Sequence, residues 1–188
     1  MSQVISFEQQ AVARLRARLG AAEEANEDLI AFARGHSDAV GSINCAVLEA
    51  IEAPTIDTLL DVVTRRWPRI LAIDTVAVAL IVGSRGFRAD AHGVEQVEPA
   101  FVERILAPVP AVEVRSVESG HLLFERPERE AIRAQALIRI EGAAPYPRGL
   151  LALGQKTELA ADSSHGSALL HFLGQVIAAS IRRFVASA

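Results

Sequence analysis

The sequence is poor in cysteine, in aromatic residues and in long apolar runs, and each scarcity excludes a class of structure. Of its 188 residues only Cys45 is a cysteine, which excludes a disulfide within the chain and a site with several cysteine ligands. Aromatic residues make up 5% of the chain, which disfavours a surface for stacking nucleic-acid bases. The longest uninterrupted apolar run, from Val76 to Val82, is far shorter than the roughly 20 residues of a membrane-spanning helix.

Basic charge is also in deficit. The chain has 19 lysines and arginines against 23 aspartates and glutamates, for a net charge of −4. A domain that binds nucleic acid usually shows a basic excess instead. The first five residues contain no basic region followed by an apolar stretch, as a secretory signal peptide would. We therefore expect a cytoplasmic protein that binds neither nucleic acid nor a membrane directly.

The first 35 residues are predicted to form one long helix, here called the arm. Ser6 can cap its start, with Gln9 completing a capping box, and Gly35 suits its end. Apolar residues recur along the arm at alternating spacings of three and four, as in a coiled coil. We expect this stripe to form a dimer interface, and the alternative is that it packs on the rest of its own chain. The predicted interface residues are Val12, Leu15, Leu19, Asn26 and Leu29.

Residues 36–188 are predicted to form one α+β domain with a central antiparallel sheet flanked by helices. A helix over residues 37–52 has Val40, Ile43, Val47, Leu48 and Ile51 on its apolar face. Thr55 caps the next helix, which Pro68 should kink or end. Then the pattern changes from a helical repeat to β-branched and apolar runs. The predicted strands are 75–82, 87–92, 112–116, 136–140 and 149–153, and the further helices are 98–106, 127–133 and one from Ser164 almost to the end.

Two parts of the chain resemble a known family. The strand from Gly149 to Gly154 and the helical stretch from Leu170 to Ile177 resemble the closing strand and helix of a GAF domain. The arm, through Leu15, Leu19 and Asn26, resembles the N-terminal helix of the bacterial domain-of-unknown-function family 484, in which such a helix precedes a GAF-like domain. The resemblance implies a GAF-like fold and a regulatory or sensory role. It also implies a tyrosine recombinase as a candidate partner, because members are often encoded beside one.

The motifs of common enzymes are missing. Gly83, Ser84 and Gly86 have the wrong spacing for a nucleophile elbow and fit a hairpin turn better. A glycine-rich phosphate loop with a lysine is absent, and no two of the five histidines lie four residues apart on one helix. We therefore predict that the protein is not an enzyme and has no metal site and no cofactor. Cys45 is predicted to be a small packing residue.

The GAF resemblance implies a small-molecule pocket between one face of the sheet and the segment from Arg115 to Arg133. Clustered arginines in such a place could hold a carboxylate or phosphate. The alternative is that they are solvated charges offset by neighbouring glutamates. The predicted ligand-binding residues are Arg115, Ser116, His121, Arg133 and Arg139. The leading hypothesis is a regulatory module that dimerises through its helices and binds a small ligand, and the alternative is a ligand-free scaffold for protein interactions.

Overall fold

A computed structural model gives the structure of the protein and describes residues 38–142, 147–158 and 167–186. The chain divides into two compact units, Met1–Gly41 and Ser42–Ala188. The predicted boundary after residue 35 lies outside the described residues. So do the arm and its predicted interface residues, which are Val12, Leu15, Leu19, Asn26 and Leu29.

The helices predicted after the arm are present, with small shifts at their ends. Thr55 is the cap that the sequence predicts, since its hydroxyl accepts a hydrogen bond from the backbone N–H of Thr58 at 3.2 Å. The helices are α1 (38–52), α2 (Ile56–Asp61), α3 (Trp67–Ile70), α4 (Pro99–Leu106), α5 (Arg126–Ala131) and α6 (Ser167–Ala186).

Pro68 does not end the second predicted helix. A π-helical turn over Val62–Arg66 joins α2 to α3, and Pro68 lies in the first turn of α3, which continues to Ile70. A proline has no N–H and clashes with the preceding turn of an α-helix, so a wider turn just ahead of it relieves both problems. Of the two predicted effects, a kink or an end, the end does not occur at Pro68, because the backbone ahead of it widens into a π-helical turn.

The described strands form one six-stranded antiparallel sheet in the order β3-β2-β1-β6-β5-β4. The α+β prediction with a central antiparallel sheet flanked by helices is confirmed. One strand, Gly93–Val97, was not predicted, because its side chains are mostly exposed and give no apolar signal. The strands are β1 (Thr75–Val82), β2 (Arg85–Asp90), β3 (Gly93–Val97), β4 (Val112–Ser116), β5 (Ala134–Ile140) and β6 (Arg148–Gln155).

Successive residues of the central strands bury opposite faces, so the sheet supports two separate cores. One face packs against helices α1, α2 and α6, with Trp67 fully buried and its Nε1 donating to the carbonyl oxygen of Ala46 at 3.0 Å. The other face packs against α4 and the chain between β4 and β5. β1 and β6 lie at the centre, where almost every side chain is buried.

The closing helix α6 is, by length and composition alone, apolar enough to cross a membrane, and it is the one such helix among the described residues. The side chains of Leu173, Ile177 and Ile181 are at most 1% exposed, and they pack against the sheet and the neighbouring helices. This burial is what a core helix requires, since an apolar stripe must pack on another element.

Candidate functional site

Two of the five predicted ligand-binding residues lie at the edge of the sheet. Arg115 and Ser116 are exposed on β4, the last strand in the sheet order. Nε of Arg115 lies 3.5 Å from Oε1 of Glu113. Arg115 thus has a carboxylate partner on its own strand, in an exposed pair of a kind that contributes about 0–1 kcal/mol.

Arg133 closes the connecting segment, residues 117–133, which joins β4 to β5. Its NH1 donates to the carbonyl oxygens of Glu118, Glu130 and Ile132 at 3.2, 2.8 and 2.9 Å. The backbone N–H of Val117 also donates to the carbonyl oxygen of Arg133 at 2.8 Å. Arg133 therefore holds the two ends of the connecting segment together through backbone carbonyls.

His121 turns inward within the connecting segment. Its backbone N–H donates to Oε1 of Gln135 at 2.8 Å, and its Nδ1 accepts the N–H of Leu123 at 3.2 Å. Burial lowers the pKa of His121, and the positive charge of Arg115 lowers it further, against a smaller opposing effect of Glu113. The ring is therefore a neutral acceptor that shapes the backbone of the segment. Nε2 of Gln135 is buried and has no partner among the described residues.

Apolar side chains of the connecting segment fill the sheet face beneath it. Leu123, Phe124 and Ile132 are at most 3% exposed and belong to the second core. The fit depends on Gly154 of β6, where a Cβ would lie 2.8 Å from Cδ1 of Ile132 and 3.1 Å from Cζ of Phe124. The place where the GAF resemblance implies a ligand pocket is thus occupied by the protein's own side chains.

Arg139 lies apart from the other four predicted residues. Its NH1 donates to the carbonyl oxygens of Leu106 and Val109, both at 2.9 Å, and so caps the C-terminal end of α4. It also lines an open groove of about 480 Å³ beside α6, together with His171 and Arg182. Four residues along β5 separate it from Gln135, roughly 13 Å in a strand.

The structure thus brings His121 and Arg133 into one segment and places Arg115 close enough to affect the His121 pKa. It does not bring Arg139 to them. A ligand-binding role for the five residues stays a prediction.

A buried charge network, which the sequence patterns did not indicate, lies against the middle of the connecting segment. Arg88 of β2 is 9% exposed, and its Nε donates to the carbonyl oxygen of Leu123 at 2.9 Å. Its guanidinium also lies 2.7 Å from Oδ2 of Asp90, 2.8 Å from Oε1 of Glu95 and 3.6 Å from Oε1 of Glu125.

Burial alone would lower the pKa of Arg88, but the hydrogen bond to Glu95 and the charges of Asp90, Glu95 and Glu125 together raise it. Arg88 is therefore a permanent cation that joins the β2–β3 hairpin to the connecting segment. The sequence held one signal for this network, since Arg88 is an arginine at an inward-facing position of the predicted strand 87–92.

The outer surface of α1 and α6 carries exposed apolar side chains. Leu48 and Ile51 of α1 are 58% and 48% exposed, and Phe172 of α6 is 43% exposed. The predicted apolar face of α1 was therefore too wide, because only Ile43 and Val47 of its five predicted residues are buried in the core. We call Leu48, Ile51 and Phe172 the outer helical surface. Cys45, predicted to be a packing residue, is exposed on α1.

The ends of α1 and α6 are joined by Arg183. Both terminal nitrogens of this side chain donate to the carbonyl oxygen of Ile51 at 3.2 Å, and NH2 also donates to that of Ala53 at 2.9 Å. These bonds satisfy carbonyls that the end of α1 leaves without a partner inside the helix. The C-terminal ends of α1 and α6 are therefore held together.

Comparison with solved structures shows the fold. The chain is similar to the nlh2 GAF domain of A. aeolicus in an inactive state, with 11% identity and a TM-score of 0.53 over 79% of this chain and 98% of that one. It is also similar to the GAF domain of a phosphoenolpyruvate-protein phosphotransferase from Coxiella burnetii, with 17% identity and a TM-score of 0.51 over 80% and 96% of the two chains.

A third similar structure is the bacteriophytochrome RpBphP3 from the photosynthetic bacterium R. palustris, with 12% identity and a TM-score of 0.53 over 79% of this chain. The chain spans only 38% of the length of that bacteriophytochrome. No curated protein matches the sequence. These likenesses establish a GAF-like fold.

The remaining comparison concerns the sequence itself. The model of one protein family matches residues 1–186, which is nearly the whole chain. That match confirms the family to which the arm and the closing strand and helix point. The chain belongs to the family described as "Protein of unknown function, DUF484".

Proposed function

We propose that the protein is a regulatory module that self-associates through the outer helical surface and, by the family resemblance, acts on a protein partner such as a tyrosine recombinase. The proposal includes a cytoplasmic location and no catalytic step. The single observation that carries it is the exposure of Leu48, Ile51 and Phe172 on two joined helices. The proposal takes these side chains as one apolar patch, of the kind that contacts another protein.

The occupant that fits this surface best is a second copy of the chain. Glu52 of α1 and Arg182 of α6 are both exposed at its border. In a two-fold dimer, each patch meets the same patch of its partner, so α1 of one copy can lie against α6 of the other. That arrangement would place Glu52 of each copy near Arg182 of the other. Two such pairs of opposite charges favour a two-fold dimer over other arrangements of the two copies. The arm, predicted to be a coiled coil, precedes α1 directly in sequence.

The test is a matched pair of charge substitutions. Leu48 and Leu122 are both 58% exposed, but Leu122 lies in the connecting segment, away from α1 and α6. We expect L48E to weaken self-association of the full chain at least tenfold, because a carboxylate replaces apolar contact area at the interface. We expect L122E to leave it unchanged. Sedimentation equilibrium at several protein concentrations measures the dissociation constants.

Two results would contradict the proposal. One is a wild-type chain that stays monomeric at high micromolar concentration. The other is an equal loss of self-association in L48E and L122E. Circular dichroism on both variants controls for unfolding, which is not expected at positions this exposed.

The alternative function is a scaffold that binds no small ligand. The filling of the sheet face by Leu123, Phe124 and Ile132 favours it, because a ligand there would have to displace buried side chains. A thermal-shift screen with metabolites and nucleotides separates the two functions. A ligand that binds the folded state raises the melting temperature by mass action, whereas a scaffold responds to none of them.

A further inference from the structure

The turn between β2 and β3 brings a histidine next to a buried carboxylate. The side-chain Oδ1 of Asp90 accepts the backbone N–H of His92 at 2.8 Å, which fixes the turn. Gly93 then takes a φ of +142°, a conformation that other residues rarely adopt, and starts β3. As a result, Nδ1 of His92 lies 3.5 Å from Oδ1 of Asp90.

Glu125 approaches the same point from the connecting segment, directly before α5. Its Oε2 lies 3.5 Å from Nδ1 of His92, and the ligand atoms of Asp90, His92 and Glu125 all lie within 4.8 Å of one another. Arg88 contacts the opposite oxygens of the two carboxylates, Oδ2 of Asp90 and Oε1 of Glu125. The guanidinium thus orients both carboxylates so that one oxygen of each faces the imidazole, as partners of metal-ligating carboxylates do.

The charge around this point is not balanced. Three carboxylates, those of Asp90, Glu95 and Glu125, surround the single guanidinium of Arg88. Asp90 is only 5% exposed, its Oδ1 accepts the backbone N–H of His92 at 2.8 Å, and its Oδ2 lies 2.7 Å from NH2 of Arg88. A buried carboxylate that is incompletely compensated favours a second cation beside it.

The spacing matches a small divalent metal ion. Zinc binds imidazole nitrogen and carboxylate oxygen at about 2.0–2.2 Å, so two ligands of a tetrahedral site lie about 3.4 Å apart. Both distances from Nδ1 of His92 are 3.5 Å. Only the oxygens of Asp90 and Glu125 would have to approach each other, and the Glu125 side chain is 41% exposed and free to adjust.

We propose that Asp90, His92 and Glu125 bind one divalent first-row transition-metal ion, with water at the remaining coordination position. One imidazole and two carboxylates suit zinc, manganese or iron better than a purely oxygen-bound ion such as magnesium. The ion would fasten the β2–β3 hairpin to the connecting segment. Sequence spacing did not indicate the site, because the third ligand lies far along the chain from the Asp90–His92 pair. The proposal is independent of self-association, since none of the three ligands lies on the outer helical surface.

Calorimetric titration of the metal-free full chain with zinc chloride tests the proposal. The experiment uses a chain with the substitution C45S, which removes the exposed thiol of Cys45, because a thiolate is itself a zinc ligand. We expect one site per chain, and we expect H92A and E125Q each to weaken zinc binding at least about tenfold. H171A is the matched control, because His171 lies on α6, far from the proposed ligands in sequence, and contacts Gln175. It should bind zinc as the C45S chain does.

His92 is 64% exposed, so its removal should leave the fold intact, and the melting temperature of each metal-free variant checks this. In the C45S chain, zinc should raise the melting temperature, and in H92A it should not. Absence of zinc binding at millimolar concentration would overturn the proposal. Equal affinity in H92A and H171A would overturn it as well.

Discussion

At the scale of single residues, His121 is held in its neutral form by what surrounds it. Its Nδ1 accepts the N–H of Leu123, so a second ring proton would remove the acceptor that this hydrogen bond needs. Burial, and then the charge of Arg115, lower its pKa in the folded protein below the value of about 6.5 for the unfolded chain. Between the two pKa values the unfolded chain binds more protons than the folded one.

The free energy of unfolding should therefore fall as the pH decreases from about 6.5 toward the lower, folded pKa of His121. Above pH 6.5 His121 should not contribute to the pH dependence of the free energy of unfolding. H121N keeps an oxygen acceptor near the position of Nδ1 and does not titrate, so this component should vanish. Urea unfolding of both proteins at pH 7.5, 6.5 and 5.5 measures it. If the free energies of unfolding of wild type and H121N differ by the same amount at all three pH values, His121 titrates alike in the folded and unfolded chains, and the prediction is wrong.

Residue types alone pointed to part of this region but not to its contacts. The cluster of Arg115, His121 and Arg133 was recognisable as a group of polar residues in one stretch. Their partners are backbone carbonyls and Gln135, and only the pairing of β4 with β5 brings Gln135 opposite Arg115. Arg88 was missed for the same reason, because Leu123 and Glu125 come from a distant part of the sequence.

At the scale of elements, the packing of α6 on β5 depends on Gly174. A Cβ at this position would lie 2.7 Å from Cγ2 of Ile138 and 3.0 Å from the carbonyl oxygen of Arg139. The carbonyl belongs to the sheet backbone and cannot move easily. The helix therefore approaches the strand at a distance that only glycine permits.

G174A should destabilise the protein by about 1–3 kcal/mol, the usual cost of overpacking a core. G41A is the control, because Gly41 is also helical but has nothing within 4 Å of an added Cβ among the described residues. That substitution should stabilise the protein by about 0.5–1 kcal/mol, since alanine is the better helix former. Chemical denaturation of both variants gives the two values. A G174A chain as stable as G41A would mean that α6 can shift away from β5 without loss.

The elements that could be predicted are those whose burial follows a simple period. β1 was predicted with its observed ends, because a strand buried on both faces is a continuous apolar run. The exposed edge strand β3 has no such run and was missed. The π-helical turn over Val62–Arg66 could not be predicted, since a change of one residue in helical register leaves the apolar pattern almost unaltered.

At the scale of the whole molecule, the proposal of self-association through the arm and the outer helical surface can be tested by shortening the chain. A chain shortened to residues 36–188 should self-associate more weakly than the full chain, because the predicted coiled-coil stripe of the arm would be lost. Light scattering and sedimentation on both chains at equal concentration measure the difference. If both are monomeric, the dimer interpretation of the arm and of the outer helical surface is wrong. If both are equally dimeric, the arm has no part in association.

The central position of β1 and β6 has a consequence for how the chain folds. β1 pairs with its neighbour in sequence, β2, but it also pairs with β6, where Thr75 meets Gly154 near the far end of the domain. During synthesis the β1–β2 hairpin can form early, whereas the other edge of β1 stays open until β6 has left the ribosome. Topologies with such distant pairings fold slowly and expose unpaired strand edges meanwhile. For this protein the last third of the chain therefore decides when the newly made domain stops being prone to aggregation.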